Sequence, residues 1–169
     1  SSAASDVYKR QIQRFKGALE KTIAATQKMA DDLASRVGEK EAEIMQGHMM
    51  LLSDPMLTGE IENSVRNDKV NSEFAIENVC NMYADMFASM GDELMQQRAT
   101  DMRDIKVRMQ RTLMGLESVD VSLLPKGSIL VAKDLTPSMT AGINPENVSG
   151  IVTELGGKTC LLYTSDAAD

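Results

Sequence analysis

The stretch EKEAEIMQGHMMLLSDPMLTGEI (residues 39–61) decides the fold that we predict for this chain of 169 residues. Its first half has helical periodicity and stops at SDP, where Asp54 can cap a new helix that has Pro55 at its first position. Leu57, Ile61 and Val65 then recur at a spacing of four residues. The stretch therefore predicts one helix that is broken into two pieces.

Three more helices are predicted around this broken one. The first ends at Gly38, a third begins near Asn71 and a fourth begins near Asp92 and runs to Leu116. Long helices with short connections pack as antiparallel hairpins, so residues 12–117 are predicted to form a four-helix bundle with one broken member. The apolar stripes assigned to the core of the first and third helices are Ile12, Phe15, Leu19, Ile23, Ala30, Leu33 and Val37, and Ala75, Val79, Met82, Met86 and Met90.

A different pattern follows the bundle. GSILVA (127–132) and SGIVTE (149–154) are typical of short buried strands, and DLTPSMTAGI (134–143) between them indicates a turn and a short helix. Roughly 40 residues cannot close a stable α/β domain. Residues 118–159 are therefore predicted to be an incomplete α/β domain.

The two terminal segments share an unusual relationship at the level of codons. One choice of codons for residues 1–11 has a reverse complement that, in another frame, encodes residues 160–169 without a mismatch. Such agreement is typical of an adapter that flanks a cloned insert at both ends. We expect both segments to be translated adapter, to be excluded from arguments about fold and function.

Composition excludes several classes of function. The chain has 18 basic and 25 acidic residues, a formal net charge of −7, which argues against nucleic acid as a partner. No apolar run approaches the roughly 18 residues of a membrane span. Only Cys80 lies outside the terminal segments, so no disulfide framework is predicted and a reducing, cytoplasmic location fits. A lone thiol in an apolar stripe is expected to be a core residue.

Charge is concentrated in the middle of the helical region. Residues 38–104 carry five basic and fourteen acidic side chains, whereas the flanking segments 12–37 and 105–117 are each net positive. One interpretation is an ordinary solvated surface, and the other is a docking face for a basic protein. HMMLL (48–52) covers more of its helix than one buried stripe needs, which would suit an adaptable apolar patch within such a face.

His48 is the only histidine of the chain. It has no second histidine and no carboxylate at metal-ligand spacing, so we interpret it as a structural or interface residue rather than a catalytic one. Farther along, RATDMRD (98–104) allows intrahelical ion pairs, and this is the interpretation we prefer for Arg103 and Asp104.

Four motifs together resemble Enzyme I of the bacterial phosphoenolpyruvate:sugar phosphotransferase system. They are GEKEAEIMQGHMMLLSDPMLTGEI, DELMQQRATDMRDIKVRMQRTLMGL, ILVAKDLTPSMTA and VSGIVTELGGKT, in family order and spacing. The resemblance implies a helical subdomain that binds the histidine-containing phosphocarrier protein, followed by a swivelling phosphohistidine α/β domain. It also implies a protein-histidine phosphotransferase as the parent enzyme.

The resemblance extends into the family's phosphorylation motif and then ends. Gly156, Gly157, Lys158 and Thr159 match the G-G-R-T of the family's G-G-R-T-S-H motif, whereas Leu161 stands where the phosphorylated histidine is expected. Leucine has no lone pair that could attack phosphorus, so this chain is predicted to be inactive in phosphoryl transfer.

The resemblance also implies a set of partner-binding positions on the broken helix and the last helix of the bundle. These positions are Glu39, Glu41, Ile44, His48, Leu51, Leu52, Asp54, Leu94, Met95, Arg98 and Asp101.

The family binds magnesium and phosphoenolpyruvate in a C-terminal barrel through which it also dimerises. We therefore expect this chain to bind no cofactor and to be a monomer.

Three alternatives to Enzyme I of the sugar system remain open at this point. One is the nitrogen-regulatory paralogue of Enzyme I, and a second is a helical adaptor for another basic protein. The third, a phosphohistidine domain of a pyruvate-utilising dikinase or synthase, is disfavoured by the helical region.

Overall fold

The computed structural model describes residues 2–116 and 120–154. They form the predicted four-helix bundle with one broken member, followed by a small parallel sheet with one helix. The α-helices are α1 (Ser2–Arg36), α2 (Glu39–Leu52), α3 (Pro55–Asn67), α4 (Ser72–Ser89), α5 (Glu93–Leu113) and α6 (Pro137–Gly142), and the strands are β1 (Ser128–Ala132) and β2 (Val148–Thr153).

Side-chain caps fix where three helices begin, and they confirm the predicted starts. Asp54 accepts a hydrogen bond from the backbone N–H of Met56 at 2.9 Å, and Pro55 occupies the first turn of α3. Asn71 and Asp92 cap α4 and α5 in the same way. Each cap satisfies a backbone donor that the first turn of a helix leaves without an intrahelical partner. The broken helix is therefore encoded locally, by SDP.

One apolar core joins the halves of the bundle. It takes residues from α1 through α5, and the short helix α3 covers α4 in this core while α1 lies against α2 and α5. On α1 the predicted stripe is mostly correct, because four of its members are buried and Leu19 and Ile23 are partly buried, although Val37 is exposed. The largest fully buried side chains are Phe15, Leu33, Met45, Leu52, Leu57, Ile61, Ile76, Met102, Ile105, Met109, His48 and Val65.

The predicted core stripe of α4 is wrong in its second half. Ala75 and Val79 are buried, but Met82, Met86 and Met90 are 53%, 43% and 54% exposed. The second half of α4 remains covered, but its buried face runs through Ile76, Cys80 and Ala84. The three methionines lie to one side of this face and are therefore exposed.

The two strands are parallel, and residues 130–132 pair with residues 151–153. On one face of this sheet, Leu130 and Val148 pack against a small cluster of Val121, Leu135 and Ile143. The other face carries Ile129, Val131 and Val152, which are 64%, 73% and 55% exposed. The prediction that both strands are buried is therefore wrong for this face, because nothing in the described part of the chain covers it.

Charged side chains of the bundle hold α6 at both of its ends, and we call these contacts the α6 clasp. At the start of α6, the two carboxylate oxygens of Asp104 accept hydrogen bonds from the N–H and the hydroxyl of Ser138, both at 2.8 Å. At its end, the guanidinium of Arg36 donates to the carbonyls of Ala141 and Ile143, both at 3.0 Å. Asp104 is buried, so its predicted intrahelical ion pair is wrong.

The segment predicted to be foreign at the N-terminus continues α1. Residues 2–7 are exposed, Tyr8 packs against the core, and the side-chain oxygen of Gln11 accepts a hydrogen bond from the N–H of Ser72 at 3.0 Å. The foreign origin of this segment stays a prediction, as does that of residues 160–169, which lie outside the described residues.

Candidate functional site

A buried polar contact joins the broken helix to the last helix of the bundle. Nε2 of His48 on α2 lies 3.0 Å from Oδ1 of Asp101 on α5, and the two side chains are 0% and 6% exposed. The other ring nitrogen of His48, Nδ1, is buried without a hydrogen-bond partner. His48 is thus a structural residue of the core.

The carboxylate of Asp101 has further neighbours on both helices. Its Oδ1 also accepts a hydrogen bond from Nε2 of Gln97 at 3.0 Å, one turn earlier on α5. Its Oδ2 faces Gly47, since a Cβ at that position would lie 3.7 Å from this oxygen. Sequence reasoning missed both Gln97 and Gly47. The spacing of four between Gln97 and Asp101 was the available signal, because such pairs meet on a helix surface.

The apolar patch predicted at HMMLL belongs mainly to the core. Leu51 and Leu52 are 7% and 0% exposed and are part of the central cluster, and His48 is buried beside them. Met50 alone in this segment is strongly exposed, at 64%. The prediction that His48, Leu51, Leu52 and the buried Asp101 present their side chains to a partner is therefore corrected, because the bundle needs them for packing.

The remaining predicted positions are accessible to different degrees. Glu39 and Leu94 are exposed, at the beginnings of α2 and α5. Because His48 meets Asp101 while Met45 on α2 and Asp104 on α5 both lie next to α6, the two helices run in opposite directions. The partly buried members of the set are Glu41, Ile44, Asp54, Met95 and Arg98. We call these accessible positions on α2 and α5, with Asp54 between α2 and α3, the α2–α5 surface.

Near the turn between α2 and α3, acidic side chains lie close to Tyr83. Burial and the neighbouring carboxylates of Glu60 and Asp54 raise the pKa of Tyr83 above its usual range. Asp54 closes α2 and caps α3, so it sits at the turn between the two pieces of the broken helix. Leu94, in the first turn of α5, adds an exposed apolar side chain to the surface. Carboxylates around exposed apolar groups suit a basic protein partner.

The described residues offer little for catalysis. No group of three or more His, Cys, Asp or Glu among them could hold a metal ion. Burial raises the pKa of Cys80 to about 12, so this thiol is not a ready nucleophile. The predicted motif residues Gly156, Gly157, Lys158, Thr159 and Leu161 lie outside the described residues. Across 2–116 and 120–154, the structure contains no helix long and apolar enough to cross a membrane.

Family models match two parts of the chain. Residues 1–98 match the N-terminal model of the PEP-utilising enzymes, and residues 124–162 match the model of their mobile domain. Together the matches cover the helical region up to α5 and the whole of the β1–α6–β2 segment.

Similar proteins carry one name. The phosphoenolpyruvate-protein phosphotransferases of Listeria monocytogenes and Bacillus subtilis are 38% and 36% identical over 149 residues, which is 88% of this chain and 26% of theirs. The chain thus spans about a quarter of the length of these curated relatives. An NMR solution structure of an Enzyme I protein is similar at 35% identity and a TM-score of 0.81. A structure of the N-terminal domain of Enzyme 1-Nitrogen is similar at 26% sequence identity and a TM-score of 0.66. Each alignment covers 89% of this chain and 61% of the solved one.

Proposed function

Because this chain belongs to the PEP-utilising enzymes, as an N-terminal part of an Enzyme I phosphotransferase, we propose that its helical bundle docks a histidine-containing phosphocarrier protein. The α2–α5 surface is the proposed docking surface. In the parent enzyme this docking would bring the carrier's histidine to the phosphohistidine of the α/β domain.

The observation that carries the proposal is the combination of charge and exposure on the bundle. The α2–α5 surface carries three acidic residues, Glu39, Glu41 and Asp54, against one basic residue, Arg98. Glu39 and Leu94 stand exposed at opposite ends of the α2–α5 surface. Such a surface attracts a basic protein over a distance and then offers it an apolar contact. The buried side chains of His48 and Asp101 keep α2 and α5 in fixed register beneath it.

We propose that this chain takes no part in phosphoryl transfer itself. A phosphohistidine forms when an imidazole nitrogen attacks phosphorus, and Leu161 occupies the position where the family motif places that imidazole. His48 does not replace it, because its ring is fully buried and Nε2 is engaged with Asp101. Incubation with phosphoenolpyruvate, magnesium and a relative's C-terminal part should leave this chain unphosphorylated by mass spectrometry. Phosphate on His48 would refute this proposal.

The wider setting follows from the family. We propose a cytoplasmic role in sugar uptake, with magnesium and the dimer contact belonging to the barrel of the longer enzyme. The likeness to an Enzyme I structure is greater than the likeness to the nitrogen paralogue, which favours the sugar system. The second candidate is a helical adaptor for another basic protein, because the acidic surface alone would suit any basic partner.

An NMR titration tests the docking proposal. Labelled chain is titrated with the histidine-containing phosphocarrier protein at low salt, and shift changes are expected on α2, on the first half of α5 and at Gly47. The affinity should fall as salt is added, because exposed charges are screened over about 8 to 10 Å at physiological ionic strength. A well-folded chain that shows no shift changes would exclude docking to this carrier and favour the adaptor.

A charge-reversal pair sharpens the test. Glu39→Lys with Glu41→Lys should slow association with the carrier, since both residues lie in the first turn of α2 on the proposed surface. The matched control is Glu20→Lys with Asp32→Lys, which reverses two exposed charges on α1. Equal slowing by the control would show that only the overall charge of the chain matters.

A further inference from the structure

One guanidinium on α5 is buried with part of its donor capacity unused. Nη2 of Arg108 donates a hydrogen bond to Oγ1 of Thr26 on α1 at 2.8 Å. Nη1 of the same side chain is buried and has no hydrogen-bond partner within the described residues. A buried donor that stays unpaired costs free energy, and a charged donor costs more. A conformation that offers Nη1 an acceptor is therefore favoured at this residue.

A carboxylate that could accept from Nη1 lies one turn earlier on α5. Asp104 precedes Arg108 by four residues, and an acidic residue at this spacing before a basic one forms a favourable pair on a helix. Burial lowers the pKa of Arg108, and the negative charge of Asp104 acts against that effect. The hydrogen bonds of Asp104 nevertheless go to Ser138 on α6. Asp104 thus has two partners within reach and uses one of them.

The β1–α6–β2 segment is attached to the bundle mainly by polar contacts. It has an apolar cluster of its own, built on Val121, Leu135 and Ile143. Among the described residues of α6, Ala141 is the one that enters an apolar cluster of the bundle. The other attachments are those of the α6 clasp, in which Arg36 is exposed to solvent. Parts of a chain that meet through a small and polar contact can move relative to each other.

We propose that Asp104 is a conformational switch with two alternative partners. In the closed state, which the structure shows, its carboxylate accepts both hydrogen bonds from Ser138. In a released state α6 leaves the bundle, and the same carboxylate turns to Nη1 of Arg108 and forms an ion pair within α5. The exchange replaces two hydrogen bonds from uncharged donors by charge-assisted bonds from the guanidinium. It is independent of whether the α2–α5 surface binds a carrier.

The second partner makes the release of α6 easier than the lost contacts alone would allow. Without Arg108, the departure of α6 would leave Asp104 with no partner for its charge. With Arg108, the carboxylate and the unsatisfied Nη1 are paired in one step. This ion pair exists only in the released state, and a contact that is made in one of two states shifts the equilibrium toward that state. The bundle and the β1–α6–β2 segment can therefore separate while each keeps its own core.

Amide hydrogen exchange of the full chain tests the switch. Arg108→Gln removes the charge but keeps an amide that can donate toward Thr26. The released state then loses its ion pair, so the amides of Ser138 and Thr140 should exchange about twofold or more slowly, as expected for one pair at this spacing. The matched control is Lys106→Gln, which removes a cation of α5 that pairs with Glu77 and should leave α6 unchanged. Unchanged or faster exchange in α6 of the Arg108 variant would overturn the proposal.

A double variant separates the switch from a general effect on the bundle. In the background of Asp104→Ala no ion pair can form, so adding Arg108→Gln should no longer slow exchange in α6. The same slowing in both backgrounds would show that Arg108 acts without Asp104 and would refute the switch. Arg108→Met repeats the measurement with an apolar side chain, while the amides of α4 report the stability of the bundle. Loss of the folded bundle in both Arg108 variants would assign this residue to the core and would equally refute it.

Discussion

Nε2 of His48 lies 3.0 Å from Oδ1 of Asp101, and through this contact α2 and α5 share a buried hydrogen bond. The only histidine of the chain therefore acts in the assembly of the bundle. The contact is buried beneath the surface proposed for docking. Substitutions of these two residues therefore test the stability of the bundle rather than the chemistry of its surface.

Asp101→Ala should destabilise the chain strongly, while Asp101→Asn should cost little. Alanine leaves the ring N–H of His48 and the amide of Gln97 without an acceptor in a buried site, and an unsatisfied buried donor costs about 1–3 kcal/mol. Asparagine keeps an oxygen in the position of Oδ1. Urea unfolding of both variants measures the difference, and Arg103→Ala on the exposed side of α5 is the control. Similar losses for alanine and asparagine would show that the charge, rather than the acceptor, matters.

Leu52→Ala and Met50→Ala should have very different effects on stability. Leu52 is 0% exposed, and truncating a buried leucine costs about 2–5 kcal/mol. Met50 is 64% exposed, so its truncation should stay within about 0.5 kcal/mol. Chemical denaturation of the two variants decides between packing and surface roles for HMMLL. Equal and small losses would restore Leu52 to the docking surface.

Asp104→Ala should loosen α6 without unfolding the bundle. The substitution removes the two carboxylate oxygens that accept hydrogen bonds from the N–H and the hydroxyl of Ser138 at the start of α6. Amide hydrogen exchange should quicken from Ser138 to Gly142, while amides of α4 keep their protection. Arg36→Gln should loosen the other end of the same helix. Unchanged exchange in α6 after either substitution would show that the α6 clasp does not hold it.

Acid should weaken the contact between α4 and its neighbours. Hydrogen bonds from Arg14 lower the pKa of Glu73, and a hydrogen bond from Gln110 lowers that of Glu77, both from an ordinary value of 4.5. A carboxylate with a lowered pKa in the folded state contributes its full stability above 4.5 and loses it as the pH falls through the lowered value. Stability should therefore drop below pH 4.5.

The double variant Glu73→Gln/Glu77→Gln isolates this effect. It should be less stable than the original chain at neutral pH, and the gap should close as the pH falls below 4.5, where the carboxylates become protonated. Thermal unfolding at a series of pH values measures the gap, with Glu20→Gln on the exposed side of α1 as control. A gap that stays constant with pH would assign the loss to packing.

Local chemistry explains which features the sequence could predict. Asp54, Asn71 and Asp92 cap their own helices, so each start was predictable from a few neighbouring residues. The glycine and proline residues that follow the bundle likewise marked its boundary with the β1–α6–β2 segment. The family motifs supplied the partner-binding positions, which stay a prediction, but they did not indicate which of these side chains are buried.

Features that depend on other helices were not predictable in this way. Met82 and Leu52 both fit an apolar periodicity, and only the position of the covering helices decides that one is exposed and the other buried. The bond from Ser138 to Asp104 crosses 34 residues, and a spacing of one between Arg103 and Asp104 gave no hint of it. The contact of His48 with Asp101 crosses 53 residues and was missed for the same reason.

The open face of the β1–β2 sheet has a consequence for the behaviour of the chain in concentrated solution. Ile129, Val131 and Val152 stand together on this face, uncovered by the described residues, and exposed apolar patches favour association between molecules. A net charge of −7 keeps molecules apart at neutral pH and low salt. Salt screens this repulsion while it strengthens apolar association, so the colloidal stability of the chain should be lowest where ionic strength is high.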